Sequence, residues 1–562
     1  MRRFQLLICL LLSMLIFSIS ASAQELPPVI EYDLGETTIV QSRFPEDSRF
    51  HNMPIRLNGV IAVPEDDAPH PVVIILHGTH PGCPLNEFGV DAWPCAPEVE
   101  QPNYRGFGYL AGQLAANGYV ALSININAEN TFGFGEGDPG ERILQLLNLH
   151  LNALAEAASG GENNFGVQLA GRADLCRLAY FGHSRGGELA HRLINDPDWQ
   201  LDYTASCETG ERGDGLLLIA PMVLFRMPES STAPTGIILP ACDGDVTNQD
   251  GQIFYETARL ESDQQAWASS VWLEQANHNY FNDILPSDLF SQASRSECET
   301  TLQPDQQRDF LVGYALDFLT TIFSGDSQAV SESASRMGMD ISAPAVNALY
   351  GLPARVALMP ARADRQPLLI PITKAGLYTN LLGGEITREG ISTTFCEQGF
   401  FTPQEQPDMQ DCRRTDLIIP GNPALMLASW QQSGAALRFN LPDGQDLSAY
   451  SAISLRAALD PLSELNPPGA SQSFSIQLTD ISGNTATVST RPDEPALIFP
   501  PGEAQADSFF GDLFTGRVPL TTIRLSLSAF SGVDLTDIQE IALLFDQTSS
   551  GALFMADLEV VR

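Results

Sequence analysis

Between residues 30 and 323, short aliphatic runs alternate with stretches of helical spacing, and few folds accommodate that order. The run Val72, Val73, Ile74, Ile75, Leu76 is apolar without interruption, as a strand buried on both faces must be. Residues 178–181, 216–220, 237–240 and 271–274 extend the series, with earlier strands predicted at 37–41, 55–63 and 119–124. Helical spacing marks 104–117, 141–158, 186–195 and 310–323, the first of these stopped by Gly118. Alternation of this kind predicts an α/β domain with a mostly parallel sheet and helices on both faces.

The pattern changes after Gly325. Residues 326–361 are rich in Ser and Ala and are expected to bridge two domains. From residue 367 onward the chain shows short strands and turn signals with almost no helix, for example at 436–439, 452–457, 474–478, 523–527 and 541–545. These features predict an all-β, jelly-roll-like sandwich. The expected division is an α/β domain over 24–325, a linker over 326–366 and the sandwich over 367–562.

The first 23 residues are read as an address. Arg2 and Arg3 precede an apolar run from Leu6 to Ile19, and Ala21, Ser22 and Ala23 supply the small residues that signal peptidase requires. The run is short for a bilayer span, and no later run resembles one. The chain is therefore expected to be secreted or periplasmic, with cleavage near Ala23 and no membrane span in the mature protein.

Charge and cysteines agree with export. The net charge is −39, with Lys374 as the only lysine, so the basic footprint that binds nucleic acid or anionic lipid is missing. Once Cys9 leaves with the leader, eight cysteines remain: Cys83, Cys95, Cys176, Cys207, Cys242, Cys298, Cys396 and Cys412. An even number in an exported chain suggests disulfides. Nearest-neighbour pairing gives Cys83–Cys95, Cys176–Cys207, Cys242–Cys298 and Cys396–Cys412.

The chemistry concentrates where a strand meets a helix. Gly182, His183, Ser184, Arg185 and Gly186 form a G-x-S-x-G turn directly after the apolar strand at 178–181. Gly182 and Gly186 let the flanking backbones approach, and the sharp turn lifts the Ser184 hydroxyl clear of the sheet. A serine nucleophile needs a base. His278 follows the last predicted sheet strand, whereas His183 is expected to be directed away by the turn. The base needs a carboxylate, and Asp243 and Asp245 both follow the strand at 237–240. Asp243 is favoured because an aliphatic residue, Val246, stands three positions later; Asp245 is the runner-up. Backbone N–H groups of Thr79 and Arg185 are expected to form the oxyanion hole, with an ion pair to Glu188 or another acid expected for the Arg185 side chain. The cluster Asp243, Asp245, Thr247, Asn248 and Asp250 lacks the glycine and distal glutamate of an EF-hand loop, so no metal is assigned. No cofactor is needed.

His77-Gly78, the segment Gly182–Gly187, the Asp243 loop and His278 together resemble the α/β-hydrolase superfamily. The serine hexapeptide is similar to that of chlorophyllases. The compact layout resembles dienelactone hydrolase, platelet-activating-factor acetylhydrolase and the cutinase-like polyester hydrolases. The resemblance covers residues 30–323 and implies an α/β-hydrolase fold and hydrolysis of carboxylic esters through an acyl-serine. About fifteen residues separate Ala220 from Gly236, so the lid of many lipases is missing. That implies an open site for a bulky, polymeric or surface-bound ester. A Cys242–Cys298 bond would resemble the active-site disulfide of some polyester hydrolases.

Residues 519–525, 530–535 and 538–546 resemble the closing strands of galactose-binding-like carbohydrate modules, and Asp446 to Tyr450 fits the same pattern. This implies a polysaccharide partner, with Trp430, Tyr450 and Phe509 as stacking candidates; the alternative is a structural sandwich. Three other functions stay open at this point. They are a carbohydrate esterase or polyester hydrolase targeted by the sandwich, a serine peptidase or amidase, and a non-catalytic binding protein on a hydrolase scaffold.

Overall fold

The computed structural model describes residues 26–203, 213–224, 228–247, 249–288, 296–396, 424–461, 463–499 and 520–562. Strands β1 (Ile30–Val40) and β2 (Asn52–Ala62) come first and pair antiparallel. Then follow β3 (His70–Leu76), α1 (Gly108–Ala116), β4 (Val120–Ile124), α2 (Asn127–Asn130), α3 (Glu141–Ala158), β5 (Ala173–His183) and α4 (Arg185–Asn195). The series continues with β6 (Gly215–Ile219), β7 (Thr235–Pro240), α5 (Ile253–Leu260), β8 (Ala268–Leu273), α6 (Pro304–Phe323), α7 (Ser327–Arg336), β9 (Ala348–Leu349) and β10 (Leu352–Met359).

These ten strands form one sheet in the order β1-β2-β4-β3-β5-β6-β7-β8-β10-β9. The block from β4 to β8 is parallel. The pairs β1–β2, β2–β4, β8–β10 and β10–β9 are antiparallel. This corrects the expectation of a mostly parallel sheet of the α/β-hydrolase type. The sheet is mixed, two further antiparallel sheets follow it, and strand exceeds helix at 32% against 23%. The physical reason lies in the connections. A single helical crossover returns the chain to the same end of the sheet and gives a parallel neighbour. No helix separates β1 from β2, and two helices, α6 and α7, precede β10. The expected linker is thus partly sheet: residues 326–366 contain α7, β9 and β10.

The sheet's two faces bury different helices, as a period of two requires. Val72, Ile74 and Leu76 of β3 join a cluster with Leu147 and Leu151 of α3 and Leu189 and Leu193 of α4. Val73 and Ile75 join Leu110 and Leu114 of α1 with Phe310 and Phe318 of α6 on the other face.

The remaining strands are β11 (Arg365–Leu369), β12 (Ile386–Glu389), β13 (Ile391–Cys396), β14 (Leu425–Trp430), β15 (Ala435–Gln445), β16 (Ala452–Leu459), β17 (Ser475–Asp480), β18 (Thr485–Ser489), β19 (Thr521–Ser526), β20 (Ile538–Phe545) and β21 (Gly551–Val561). They form two antiparallel sheets, β13-β14-β21-β16-β19 with β11 on β21, and β12-β15-β20-β17-β18. The two share one apolar core.

Buried charge joins this unit to the ten-stranded sheet. Arg259 of α5 donates to Asp557 of β21 at 2.5 Å and to the Ala556 carbonyl at 2.7 Å. Glu256 of α5 accepts from Arg456 of β16, and the Leu358 N–H of β10 meets Thr522 Oγ1 at 3.1 Å. Arg259 is 1% exposed at its side chain, so removing its partner would strand a charge away from water.

Among the described residues two disulfides join cysteines to one another, Cys83–Cys95 and Cys242–Cys298. Cys207 and Cys412 lie outside the described residues, as does the leader, so the other two pairings and the cleavage site are not described. Among the described residues no helix is long and apolar enough to cross a membrane.

Candidate active site

The middle of the sheet builds the turn that carries Ser184. β5 lies between β3 and β6 and runs straight into α4, with Ser184 as the only residue between them. Ser184 has φ 55° and ψ −125°, a conformation that costs a non-glycine residue roughly 1–3 kcal/mol. Three backbone bonds hold it there. Its N–H donates to the Ile219 carbonyl at 2.9 Å, and its carbonyl accepts from Gly187 at 2.9 Å and Met222 at 3.3 Å. The flanking glycines are obligatory on space alone. A Cβ on Gly182 would lie 2.2 Å from the Gly186 carbonyl oxygen, and one on Gly186 would lie 2.3 Å from that of Leu76.

The acid comes from the loop after β7. Asp243 is 1% exposed, and its Oδ1 accepts from the N–H groups of Asp245 at 2.9 Å and Val246 at 2.6 Å. Its Oδ2 lies 2.9 Å from His278 Nδ1. Asp243 is therefore the carboxylate that meets the imidazole, and Asp245 braces it through the backbone. The three-residue spacing to Val246 has a local meaning, since that N–H helps to fix the carboxylate.

His278 follows β8 and is buried. Burial alone would disfavour charge on its ring. The Asp243 charge and hydrogen bond outweigh burial, helped by Asp288 and Asp245, and raise its pKa to about 9. His183 is not directed out of the site. Its ring stands 4.7 Å from the His278 ring, and its Nε2 meets the His278 carbonyl at 3.0 Å. Ser184 therefore adjoins the residue that touches His278, although no Ser184–His278 hydrogen bond is recorded among the described residues. Such bonds often tighten only when substrate binds. The Cys242–Cys298 disulfide ties the residue before Asp243 to the chain beyond His278. Its sequence separation is 56 residues, and a bridge over such a loop typically contributes about 2–4 kcal/mol.

The loop after β3 packs directly on the serine. A Cβ on Gly78 would lie 2.8 Å from Ser184 Cβ. His77 Nε2 accepts from the Ile126 N–H at 3.0 Å, so its Nδ1–H donates to the Gly78 carbonyl at 2.8 Å. Asn130 donates to the same carbonyl at 3.1 Å. Because the C=O and N–H of one planar peptide point opposite ways, the Thr79 N–H faces away from both donors. The Thr79 hydroxyl donates to Asn130 Oδ1 at 3.0 Å. Burial pushes the His77 pKa down to about 4, so this support stays neutral. Arg185 opens α4, and its side chain reaches Glu129 at 3.0 Å with both groups buried. The Arg185 guanidinium, with Glu129, Arg142, Phe132 and Leu224, lines a cavity of about 330 Å³.

No protein-family model matches the chain, and no curated protein matches it.

The sequence singled out Ser184, Asp243, Asp245, His278, Thr79 and Arg185. It missed His183 and Asp288 as neighbours of His278, and Glu129 as the partner of Arg185. No local signal marks Asp288; it follows the histidine in a loop without periodic pattern. Among the described residues no group of three or more His, Cys, Asp or Glu side chains is arranged to hold a metal ion. On the sandwich, Trp430 is 1% exposed and packs 4.4 Å from the Phe545 ring. It belongs to the core. Tyr450 is half-buried with the Arg562 guanidinium 5.2 Å from its ring, and Phe509 lies outside the described residues.

Proposed function

We propose that this protein is an exported serine hydrolase that cleaves carboxylic esters through an acyl-serine intermediate. The observation that carries this reading is the strained Ser184 at the end of β5, next in the chain to His183, whose ring meets the His278 of a buried Asp243–His278 pair. Backbone strain in a non-glycine residue persists where the surroundings over-determine it, and such sites cluster at functional centres.

The steps follow from the groups present. His278 Nε2 takes the proton of Ser184 Oγ as the oxygen attacks the ester carbonyl. The Asp243 carboxylate holds the Nδ1–H and offsets the imidazolium charge. The developing oxyanion is received by the Thr79 and Arg185 backbone N–H groups. Collapse breaks the C–O bond, and His278 returns the proton to the leaving alcohol. Water then attacks the acyl-serine with His278 as base and releases the acid. Every proton moves through one ring nitrogen, and no cofactor takes part. The two disulfides and the basic, then apolar, first 23 residues support a secreted or periplasmic location.

A fluorophosphonate probe tests this reading. Wild-type protein should be labelled at Ser184, and S184A should be neither labelled nor active on a panel of esters running from short p-nitrophenyl esters to acetylated glycans and polyesters. Full esterase activity in S184A would overturn it.

A further inference from the structure

We propose that Asp288 is a positioning residue of this site, a second, half-buried carboxylate that couples the acid loop to the base loop and places its charge beside His278. The inference rests on the triad reading above.

The geometry is specific. Asp288 Oδ2 accepts the Gly244 N–H at 2.7 Å and the His278 N–H at 2.9 Å, and Oδ1 accepts the Asn279 N–H at 2.8 Å. Gly244 follows the acid, and His278 and Asn279 are the base and its neighbour. One carboxylate thus gathers three donors from the two loops that must stay in register for Asp243 to meet His278. An ionised carboxylate suits that task, because it accepts on both oxygens and offers no hydrogen to collide with the donors. The Cys242–Cys298 disulfide ties the residue before Asp243 to the chain beyond Asp288.

The charge has its own consequence. The groups facing His278 are Asp243 and Asp245 after β7, Asp288, His183 at the end of β5 and His80 after β3. Burial pushes His80 down to about 3 and His183 well below its ordinary value, so both rings are neutral. Three carboxylates therefore act on the His278 proton, and Asp288 contributes after Asp243. Burial, then the Asp243 charge, raises Asp288 itself to about 6, against the pull of His278 and of its backbone donors. Asp288 is thus ionised wherever the base works.

The experiment is the pH profile of fluorophosphonate labelling and of kcat/KM for a neutral ester, in wild type, D288N and D288E. Removing the charge should move the rising limb to lower pH by on the order of one unit, because a carboxylate within a few ångströms typically shifts a neighbour by that much. D288E keeps the charge, so its limb should stay near the wild-type position even if kcat falls. A merely structural role would lower rate or Tm in D288N and leave the limb in place, and that result would overturn the inference while leaving the triad intact. Absence of wild-type labelling would remove both. If D288N does not fold, D288S removes the charge without adding an amide N–H and answers the same question.

Discussion

His183, one position before Ser184, gives its ring Nε2–H to the backbone carbonyl of His278 across 3.0 Å. The carbonyl can only accept, so the proton sits on His183 Nε2. The residue beside Ser184 thereby holds the backbone of His278 in place. H183F keeps a ring of similar size and removes the donor. We expect kcat for a neutral ester to fall by about tenfold with KM unchanged, the effect of one lost buried hydrogen bond. Unchanged kcat in a folded H183F would mean that the bond does not position His278.

Activity should climb from pH 7 toward pH 9. His278 must be neutral to act as a base, and its pKa is raised to about 9, so the protonated, inactive form prevails below that value. The sign for stability is opposite. A raised folded-state pKa contributes stability in full below the ordinary value of 6.5, and the contribution is lost as pH passes about 9. Steady-state rates and Tm measured across this window should move in opposite directions. A rate plateau already complete at pH 7 would contradict the His278 assignment.

G78A should impair chemistry more than folding. The new Cβ would lie 2.8 Å from Ser184 Cβ, 3.1 Å from His183 Nδ1 and 3.2 Å from His80 Nε2. The loop that carries Thr79 must then move away from the serine. Overpacking of this kind typically costs about 1–3 kcal/mol, so the protein should still fold with a lower Tm. Fluorophosphonate labelling should slow by at least roughly tenfold, as expected when an oxyanion donor is displaced. Labelling at the wild-type rate would show that the Gly78–Thr79 peptide does not border the reacting atoms.

R259M should weaken the whole molecule. The variant leaves Asp557 in the interface without its nearest cation, and breaking a buried pair from one side costs about 3–5 kcal/mol. Urea unfolding followed by fluorescence should show the lower midpoint. R259M combined with D557L should recover much of the loss, because no uncompensated charge remains. An unchanged midpoint in R259M would show that water reaches the pair.

Local patterns carried the parts of this fold that local physics decides. The unbroken run Val72–Leu76 is a strand with every residue buried, and the glycines around Ser184 mark a turn where a Cβ cannot fit. What could not be read were relationships made across the chain. Ala354 to Met359 is a short apolar stretch after a Ser-rich helix, and nothing in it announces that β8 is its neighbour or that it runs antiparallel. Between Asp243 and Asp245, Val246 points to the first, and in space it is Asp243 that lies 2.9 Å from the His278 ring, 35 positions away. Asp288 and Glu129 meet partners elsewhere in the chain, so their types alone were uninformative. Trp430 shows the converse: a stacking candidate by residue type, it fills the core between two sheets.

The antiparallel return of β10 also bears on how copies of this protein behave in a crowded solution. A sheet ending at β8 would present a row of unspent N–H and C=O groups, the template from which fibrils and swapped oligomers grow. β10 occupies that row, and Thr522 from the sandwich takes up one of the amides on its far side. The opposite margin is β1, where Glu31, Asp33 and Glu36 are exposed and Glu31 and Glu36 hold the guanidinium groups of Arg105 and Arg56. One margin is thus covered by the molecule's own backbone, and at the other a second copy would meet the ion pairs of Glu31 and Glu36 before it could add a strand to β1.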